Sequence, residues 1–366
     1  MSNANNGLED FKKAFSKLLL KWYELHKRDL PWRGSSDPYV IWLSEIILQQ
    51  TRIAQGLPYF EKFLSVYPTI ELFAAADEQQ ILKLWQGLGY YSRARNMLVC
   101  AKEVVEKYDG KFPTTYDELL KLKGVGSYTA AAMASFSFGQ PVPVLDGNVF
   151  RVLARVFGLE ADIARTANHR LFWTLASELI SQDQPGLFNQ ALMDFGSLHC
   201  TPKSPMCEGC VFETQCFANQ QELQPFLPVK INKIKKKIRY FNYFVLICDG
   251  VVLIKKREQK DIWQGMFEFL LLESHDQPND EYLANNELSS LMNEISLTTS
   301  SEIFKHILSH QTIFAQFHTY AISNVSDFEQ IKKKYGMQEI AVSDLNSLPI
   351  SRLVDKFLKK EGNYLT

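Results

Sequence analysis

The chain has no strong charge of either sign: among 366 residues, 40 Lys+Arg face 41 Asp+Glu, a formal net charge of −1. Residues 1–228 hold 22 basic and 24 acidic side chains and the remainder 18 and 17, so neither half is globally basic. A protein that grips nucleic acid by overall charge is excluded, and any such contact must be local. No apolar run approaches the roughly 20 residues that span a bilayer, so no membrane partner is expected. The opening MSNANNGLEDFKK lacks the basic-then-apolar order of a secretory signal, which leads us to expect a cytoplasmic protein. Cysteine is scarce too. The six thiols, in a reducing compartment, serve more naturally as metal ligands or core residues than as disulfides.

What is present is ordinary globular composition, 46% hydrophobic and 22% charged. The length is over twice that of a typical domain and predicts two of them. From Leu8 to Leu25 apolar residues recur at helical spacing (Leu8, Phe11, Phe15, Leu18, Trp22, Leu25). The same period returns over 39–50, 69–84, 92–108, 115–122, 128–136, 148–157, 170–180 and 188–198, with prolines 31, 38, 68, 113, 141 and 143 between these segments as stops. After Cys216 the pattern changes. Residues 217–238, with Pro225, Pro228, Lys230, Lys233, Lys235, Lys236 and Lys237, read as a basic interdomain linker. Beyond it, 240–248 and 251–256 are β-rich runs joined by Asp249-Gly250, which signals a hairpin with a type I′ turn. A strand over 312–322 and helices near 326–335 and 351–360 follow, with a loop or helix over 274–301. The expectation is a helical domain, 8–216, and an α+β domain, 239–366.

Four of the cysteines, Cys200, Cys207, Cys210 and Cys216, fall at C-x6-C-x2-C-x5-C. A tetrathiolate holds zinc or a [4Fe-4S] cluster; zinc ribbons use two short C-x2-C knuckles, and the single one here tilts the choice toward iron and sulfur. Cys100 and Cys248 lie on apolar runs and read as packing residues. Upstream, Leu122-Lys123-Gly124-Val125-Gly126-Ser127-Tyr128-Thr129 ends one helix and opens another. Two glycines let backbone approach a ligand, and the helix N-terminus offers free N–H groups to a phosphate. Alone, such a G-x-G is commonly only a helix stop. Together with the cysteines it resembles the helix-hairpin-helix arrangement of the endonuclease III superfamily of DNA glycosylases. That resemblance implies DNA-backbone contacts at Gly124, Val125, Gly126 and Lys203, the last inside the first cysteine loop.

Cleaving an N-glycosidic bond favours one carboxylic acid to protonate the departing base and one carboxylate to stabilise the cationic sugar. Glu45, the only acid between Asp37 and Glu61, sits in an apolar helix where burial raises a pKa. Asp146 precedes a helix; Asp there is ordinarily a cap, and both roles can hold together. Here the chain resembles the adenine DNA glycosylases of the MutY type. The match runs through Leu30-Pro31-Trp32-Arg33, Leu48-Gln49-Gln50-Thr51-Arg52, Gly87-Leu88-Gly89-Tyr90-Tyr91-Ser92-Arg93, the hairpin, Asp146-Gly147-Asn148, Phe188-Asn189-Gln190-Ala191-Leu192 and the four cysteines. It covers residues 8–228, with a weaker match beyond.

The resemblance implies that adenine opposite 8-oxoguanine or guanine in double-stranded DNA is excised by a nucleoid-associated monomer carrying one [4Fe-4S] cluster on the four cysteines. Glu45 would protonate adenine N7 and Asp146 would stabilise the sugar, with Tyr128 and Asn148 orienting them. Trp32, Arg33 and Gln190 would line the adenine pocket. Gln50 and Tyr90 would wedge into the duplex, offsetting the cost of flipping a base, and Thr51 and Leu88 would lie near 8-oxoguanine. Without that pattern, Trp32 and Tyr90 read equally as packing aromatics. Relatives that also cleave the strand carry a lysine where this chain has Tyr128; a phenol forms no Schiff base, so base removal alone is expected.

The C-terminal runs and Trp263-Gln264-Gly265-Met266-Phe267-Glu268-Phe269 resemble the Nudix-like domain appended to that family. A working Nudix hydrolase needs a glutamate-dense R-E-x-x-E-E helix to hold magnesium, and residues 270–300 have none, so a recognition domain is expected. The family's Phe-Ser-His loop for 8-oxoguanine corresponds to Leu308-Ser309-His310, where the leucine is a departure. Three other readings compete: a bifunctional lyase acting on oxidised pyrimidines, opposed by Tyr128; a silent damage-binding module, opposed by Glu45 and Asp146; and a Nudix hydrolase, opposed by the missing glutamates.

Overall fold

The computed structural model describes residues 2–231, 236–274, 276 and 297–362. Most of the loop-or-helix expected over 274–301, and Lys233 and Lys235 of the basic stretch, lie outside the described residues; of the former, Leu297–Ser300 is a strand instead. The chain divides into two compact units, Met1–Ala75 with Val99–Asn232, and Ala76–Leu98 with Lys233–Thr366.

The first unit is helical: α1 (Ser2–His26), α2 (Pro38–Leu48), α3 (Ile53–Val66), α4 (Ile70–Ala74), the C-terminal part of a helix over Ser92–Tyr108, then α5 (Tyr116–Leu119), α6 (Ser127–Phe138), α7 (Gly147–Phe157), α8 (His169–Leu179), α9 (Pro185–Asp194) and α10 (Phe217–Gln220). Side-chain caps mark the starts. Asp37 accepts from the Tyr39 amide with Pro38 at the first helical position, Thr115 caps α5, and Asp146 caps α7. Gly139 and Gly158 close α6 and α7 in the left-handed conformation. The core gathers Phe11, Phe15 and Trp22 of α1 with Val152 and Val156 of α7, Phe188 of α9 and Phe212 of the cysteine loop, where Phe15 and Phe212 stack at 4.5 Å. Around Trp42 of α2, fully buried, Phe73 and Phe112 lie at 5.6 Å each.

Three features differ from the sequence expectations. Helix α3 was not anticipated: it has Pro58 inside, which removes an N–H, yet buried Phe60 and Phe63 hold the helix against the core. The periodic stretch 69–84 is two helices, and the second, Glu78–Leu84, groups with the C-terminal unit. Residues 217–231, expected as linker, are built into the helical unit. Ala218 and Leu227 are core residues, Ile163 N–H donates to Val229 O, and Arg155 donates to the carbonyls of Gln224 and Leu227.

In the second unit, β1 (Lys237–Cys248) runs parallel to β7 (Gln311–Ala321) with Tyr243 opposite Phe317, and antiparallel to β2 (Val251–Lys256) and β4 (Leu270–Ser274). Short strands β3 (Phe267–Glu268), β5 (Leu297–Ser300), β6 (Phe304–Ile307) and β8 (Gln338–Ala341) complete a mixed sheet, accompanied by helices Val325–Tyr335 and Arg352–Glu361. Asp249 (φ 46°) and Gly250 (φ 77°) are both left-handed, as a type I′ hairpin requires. Ala76–Leu98 joins this unit through donors aimed at backbone and amide carbonyls: Lys83 Nζ to Leu348 O at 3.1 Å, Gln79 Nε2 to Gly265 O at 3.4 Å and Arg95 Nη2 to Gln264 Oε1 at 3.2 Å. Among the described residues, no helix is long and apolar enough to cross a membrane.

Candidate active site

Glu45 projects from α2 and is only 7% exposed. Tyr128, second residue of α6, donates its hydroxyl to Glu45 Oε2 at 2.6 Å. Burial pushes the Glu45 carboxyl above the usual carboxylate range, opposed by the Tyr128 hydrogen bond and the charge of Arg33. Burial and the adjacent carboxylate lift the Tyr128 phenol well above its ordinary value, so it stays a neutral donor. Asp146 holds α7 by its start: Oδ1 accepts from the amides of Asn148 (2.8 Å) and Val149 (2.7 Å), and Oδ2 from Asn148 Nδ2 at 2.8 Å. Burial raises the Asp146 carboxyl while these three donors favour its charged form. The negative field of Asp146 also raises Glu45. The site therefore holds two buried carboxyls, both raised by burial, one against a single phenol donor and the other against three directed N–H groups, and such a pair of unlike environments is what glycosidic cleavage uses.

Several residues that sequence reasoning passed over build this geometry. Arg151, four residues into α7, donates to Asn148 Oδ1 (2.9 Å), Cys200 O (2.8 Å) and Gly196 O, tying the Asp146 cap to the start of the cysteine loop. Gly196 lies in a π-helical turn, Phe195–His199, so close to α7 that a Cβ there would sit 2.7 Å from Asn148 Cβ. Asn189 is buried and takes Val144 N–H on Oδ1 at 3.0 Å while its Nδ2 donates to Val142 O and Ser135 Oγ, which fixes the segment entering Asp146. Asp194, fully buried at the end of α9, receives Arg28 Nε at 3.0 Å and Arg33 Nη2 at 2.8 Å. The rule that selected Glu45, an acid inside an apolar helix, also selects Asp194; the two arginines show why it is a salt-bridge anchor instead.

The remaining expected site residues fall in both units. Arg33 Nη1 donates to Tyr23 OH at 2.8 Å, and Tyr23 donates to Gln190 Oε1 at 3.0 Å, so Arg33 and Gln190 are brought together. Trp32 is buried edge-on against Phe60 at 5.1 Å, and no polar contact of its side chain is described. Gln50 is exposed at the end of α2 with φ 56°, a conformation side chains avoid unless the surroundings enforce it, followed by Thr51, whose hydroxyl bonds Gln49 O. Within the second unit Tyr90, also left-handed at φ 48°, hydrogen-bonds Ser309, and both line a groove with Leu88, Leu308 and His310. Ser309 and His310 form the tip of the β6–β7 hairpin, closed by Leu308 N–H on Gln311 O at 2.8 Å. In the helical unit Gly124 (φ 78°) makes the hairpin turn, Val125 N–H closes on Leu122 O, and Gly126 caps α6 with open space where a Cβ would be. Lys203 is exposed.

All four loop cysteines line one small pocket with Phe195, Phe212 and Met206. N–H donors already point at three sulfurs: Arg155 Nη1 at Cys200 (3.4 Å), Phe212 N at Cys210 (3.5 Å) and Gln224 Nε2 at Cys207 (3.9 Å). Burial pushes the Cys210 thiol up to about 12, and N–H donors aimed at the sulfurs are the surroundings that a thiolate-bound cluster would use, so the donor set fits one. Among the described residues no three His, Cys, Asp or Glu side chains form a group that could hold a metal ion as they stand.

A turn between helices, a capped acid and a cysteine loop on one helical unit define the class, the helix-hairpin-helix base-excision glycosylases. Residues 43–178 match the HhH-GPD superfamily of base excision DNA repair proteins, and residues 242–360 match the NUDIX domain. A solved thermostable thymine-DNA glycosylase superposes with TM-score 0.54 at 31% identity over 58% of this chain and 98% of that one. The adenine DNA glycosylase of Buchnera aphidicola subsp. Baizongia pistaciae is 32% identical over 94% of this chain and 97% of its own. That of Homo sapiens is 43% identical over 57% of this chain, which spans 40% of the human protein. The chain belongs to the adenine DNA glycosylase family.

Proposed function

We propose that the protein excises adenine paired with 8-oxoguanine or guanine in duplex DNA, hydrolysing the N-glycosidic bond and leaving the strand intact. The observation that carries this reading is the 2.6 Å bond from Tyr128 to a buried Glu45, a carboxyl environment suited to giving a proton to the departing base. Glu45 donates to adenine N7 as the glycosidic electron pair moves onto the ring. Asp146, aimed by Asn148, faces the positive charge left on the sugar. Trp32, Arg33 and Gln190 line the base pocket. The left-handed Gln50 and Tyr90 enter the duplex, and Thr51, Leu88, Ser309 and His310 read the opposite base. The hairpin Gly124 to Gly126 and Lys203 take phosphates without reading sequence. Cys200, Cys207, Cys210 and Cys216 hold one [4Fe-4S] cluster, which orders the loop bearing Lys203.

Strand cleavage would require an amine at the sugar, and the hairpin position supplies a neutral phenol. Duplexes with A opposite 8-oxoguanine, A opposite G, and an oxidised pyrimidine opposite G test the reading. Adenine release from the first two, strand scission only after alkali and no borohydride-trapped adduct are expected. Scission without alkali, or preference for the pyrimidine, would replace it with the lyase.

A further inference from the structure

Beneath the base pocket runs a chain of hydrogen bonds whose direction is forced by chemistry. Asp194 is fully buried and accepts from Arg33 Nη2 at 2.8 Å. Arg33 Nη1 meets the Tyr23 hydroxyl at 2.8 Å, and that hydroxyl meets Gln190 Oε1 at 3.0 Å. A guanidinium has donors and no acceptor. The Tyr23 oxygen must therefore accept from Arg33, its single proton must go to Gln190, and the atom facing it must be the amide oxygen. Reversing the amide would turn an NH2 group toward the Tyr23 oxygen, which already accepts from Arg33, and take away the acceptor of the Tyr23 proton. Tyr23 is 5% and Gln190 9% exposed, so water is poorly placed to rescue that mismatch. Among the described residues no protein acceptor takes the Gln190 Nε2 protons. Arg33 lies near enough to Glu45 for its charge to act on that carboxyl, which puts this chain beside the proton donor.

We infer that Tyr23 is a specificity-determining positioning residue: it locks the Gln190 amide so that an N–H, never a carbonyl, is presented to an acceptor nitrogen of the flipped base. With N7 assigned to Glu45, adenine offers N1 and N3 as acceptors. Guanine carries a proton at N1 and is refused where that edge is read. The inference rests on the placement of Gln190 in the adenine pocket, so its test separates the two.

Single-turnover excision is measured for wild type, Tyr23→Phe and Gln190→Ala on duplexes carrying adenine, 1-deazaadenine or 3-deazaadenine opposite guanine. The analogues differ in intrinsic glycosidic lability, so the ratio of rates is compared between proteins, which also cancels any unfolded fraction. In the wild type, loss of the contacted nitrogen adds a penalty on the order of tenfold. That added penalty is expected to disappear in Gln190→Ala and to shrink to about twofold or less in Tyr23→Phe, whose amide is free to turn. A wild-type ratio in Tyr23→Phe alongside a collapsed ratio in Gln190→Ala would overturn the lock and leave the pocket standing. The same ratio in all three proteins would remove Gln190 from the pocket and the inference with it.

Discussion

Both units bury arginine–carboxylate clusters, but they differ in what is left over. In the second unit Arg239 and Arg257 flank the Phe241 ring and between them satisfy Asp261, Glu268 and Glu273; Tyr243 closes on Glu268 at 3.1 Å. Burial pushes the Asp261 carboxyl up, yet bonds from Arg239, the Ile262 amide and Arg257 bring it down to about 2, the mark of a charge fully engaged. In the helical unit Asp194 is satisfied in the same way by Arg28 and Arg33, but among the described residues Glu45 has a single hydrogen bond, from Tyr128, and no arginine salt bridge. Burial raises Glu268 as well, but Arg257 and the Tyr243 hydroxyl both hold its charged form. An acid with one donor and a raised pKa keeps a proton to give.

That contrast predicts where damage to chemistry is greatest. Glu45→Gln keeps shape and removes the proton, and Asp146→Asn removes the charge proposed to face the sugar; each should lower single-turnover excision by roughly 10²- to 10⁴-fold with DNA binding retained. Near wild-type rates in either variant would sink that residue's role. On the proposed reading excision needs Glu45 protonated and Asp146 charged, so the rate should fall as pH rises through the elevated Glu45 pKa and fall again in acid as Asp146, also raised by burial, takes up a proton. Tyr128→Phe removes a bond that favours the charged form and should move that alkaline limb to higher pH. A limb that stays in place or moves down would mean Tyr128 does not tune Glu45.

A smaller loss is expected one step away. In Gly196→Ala the new Cβ would meet Asn148 Cβ at 2.7 Å and its carbonyl at 3.0 Å, so Asn148 must shift and the Asp146 carboxylate loses its aim. Displacement of this order costs about 10²-fold in rate. Unchanged excision would show that Asn148 does not position Asp146. Nothing in the sequence singles out this glycine, because close approach between α7 and the π-helical turn is a property of packing. The burial of Glu45 and the cap made by Asp146 were legible, since a lone carboxyl in an apolar run and an Asp before a helix are local signals. So were the Asp249-Gly250 turn and the strand over β7. Helix α3 was hidden by Pro58, and the allegiance of Ala76–Leu98 to the second unit depends on Lys83, Arg95 and Gln79 meeting carbonyls some 170 to 265 residues away, which no local pattern encodes. Arg151 and Asn189 were legible as residues and not as roles, because their partners are backbone groups brought near only by folding.

In the second unit the expected effect is on stability. Arg257→Met leaves Glu268 buried without its cation and should destabilise that unit by about 3–5 kcal/mol, whereas Arg257→Met with Glu268→Leu should recover much of the loss. Chemical denaturation of both variants checks this, and adenine release from A opposite G should stay near wild type per folded molecule. A double variant as unstable as the single one would mean the network does more than satisfy its own charges.

The smallest effect is reserved for the exposed hairpin tip. Guanine and 8-oxoguanine differ at C8 and N7, where the oxidised base has a carbonyl and an N–H, so telling them apart requires a polar contact there. Ser309 sits at the β6–β7 turn with its hydroxyl on Tyr90, a side chain of the same unit, and a hydroxyl can both donate and accept. Leu308 in place of an aromatic does not remove that contact, because the turn is closed by the backbone bond from Leu308 N–H to Gln311 O. Ser309→Ala should therefore cost one hydrogen bond, on the order of 1 kcal/mol, and reduce the preference for A opposite 8-oxoguanine over A opposite G several-fold while leaving the rate on the latter unchanged. Comparing the two substrates under single turnover decides it. An undiminished preference would take base discrimination away from this hairpin, and an equal loss on both substrates would show that Ser309 acts through Tyr90 on the duplex rather than on the oxidised base.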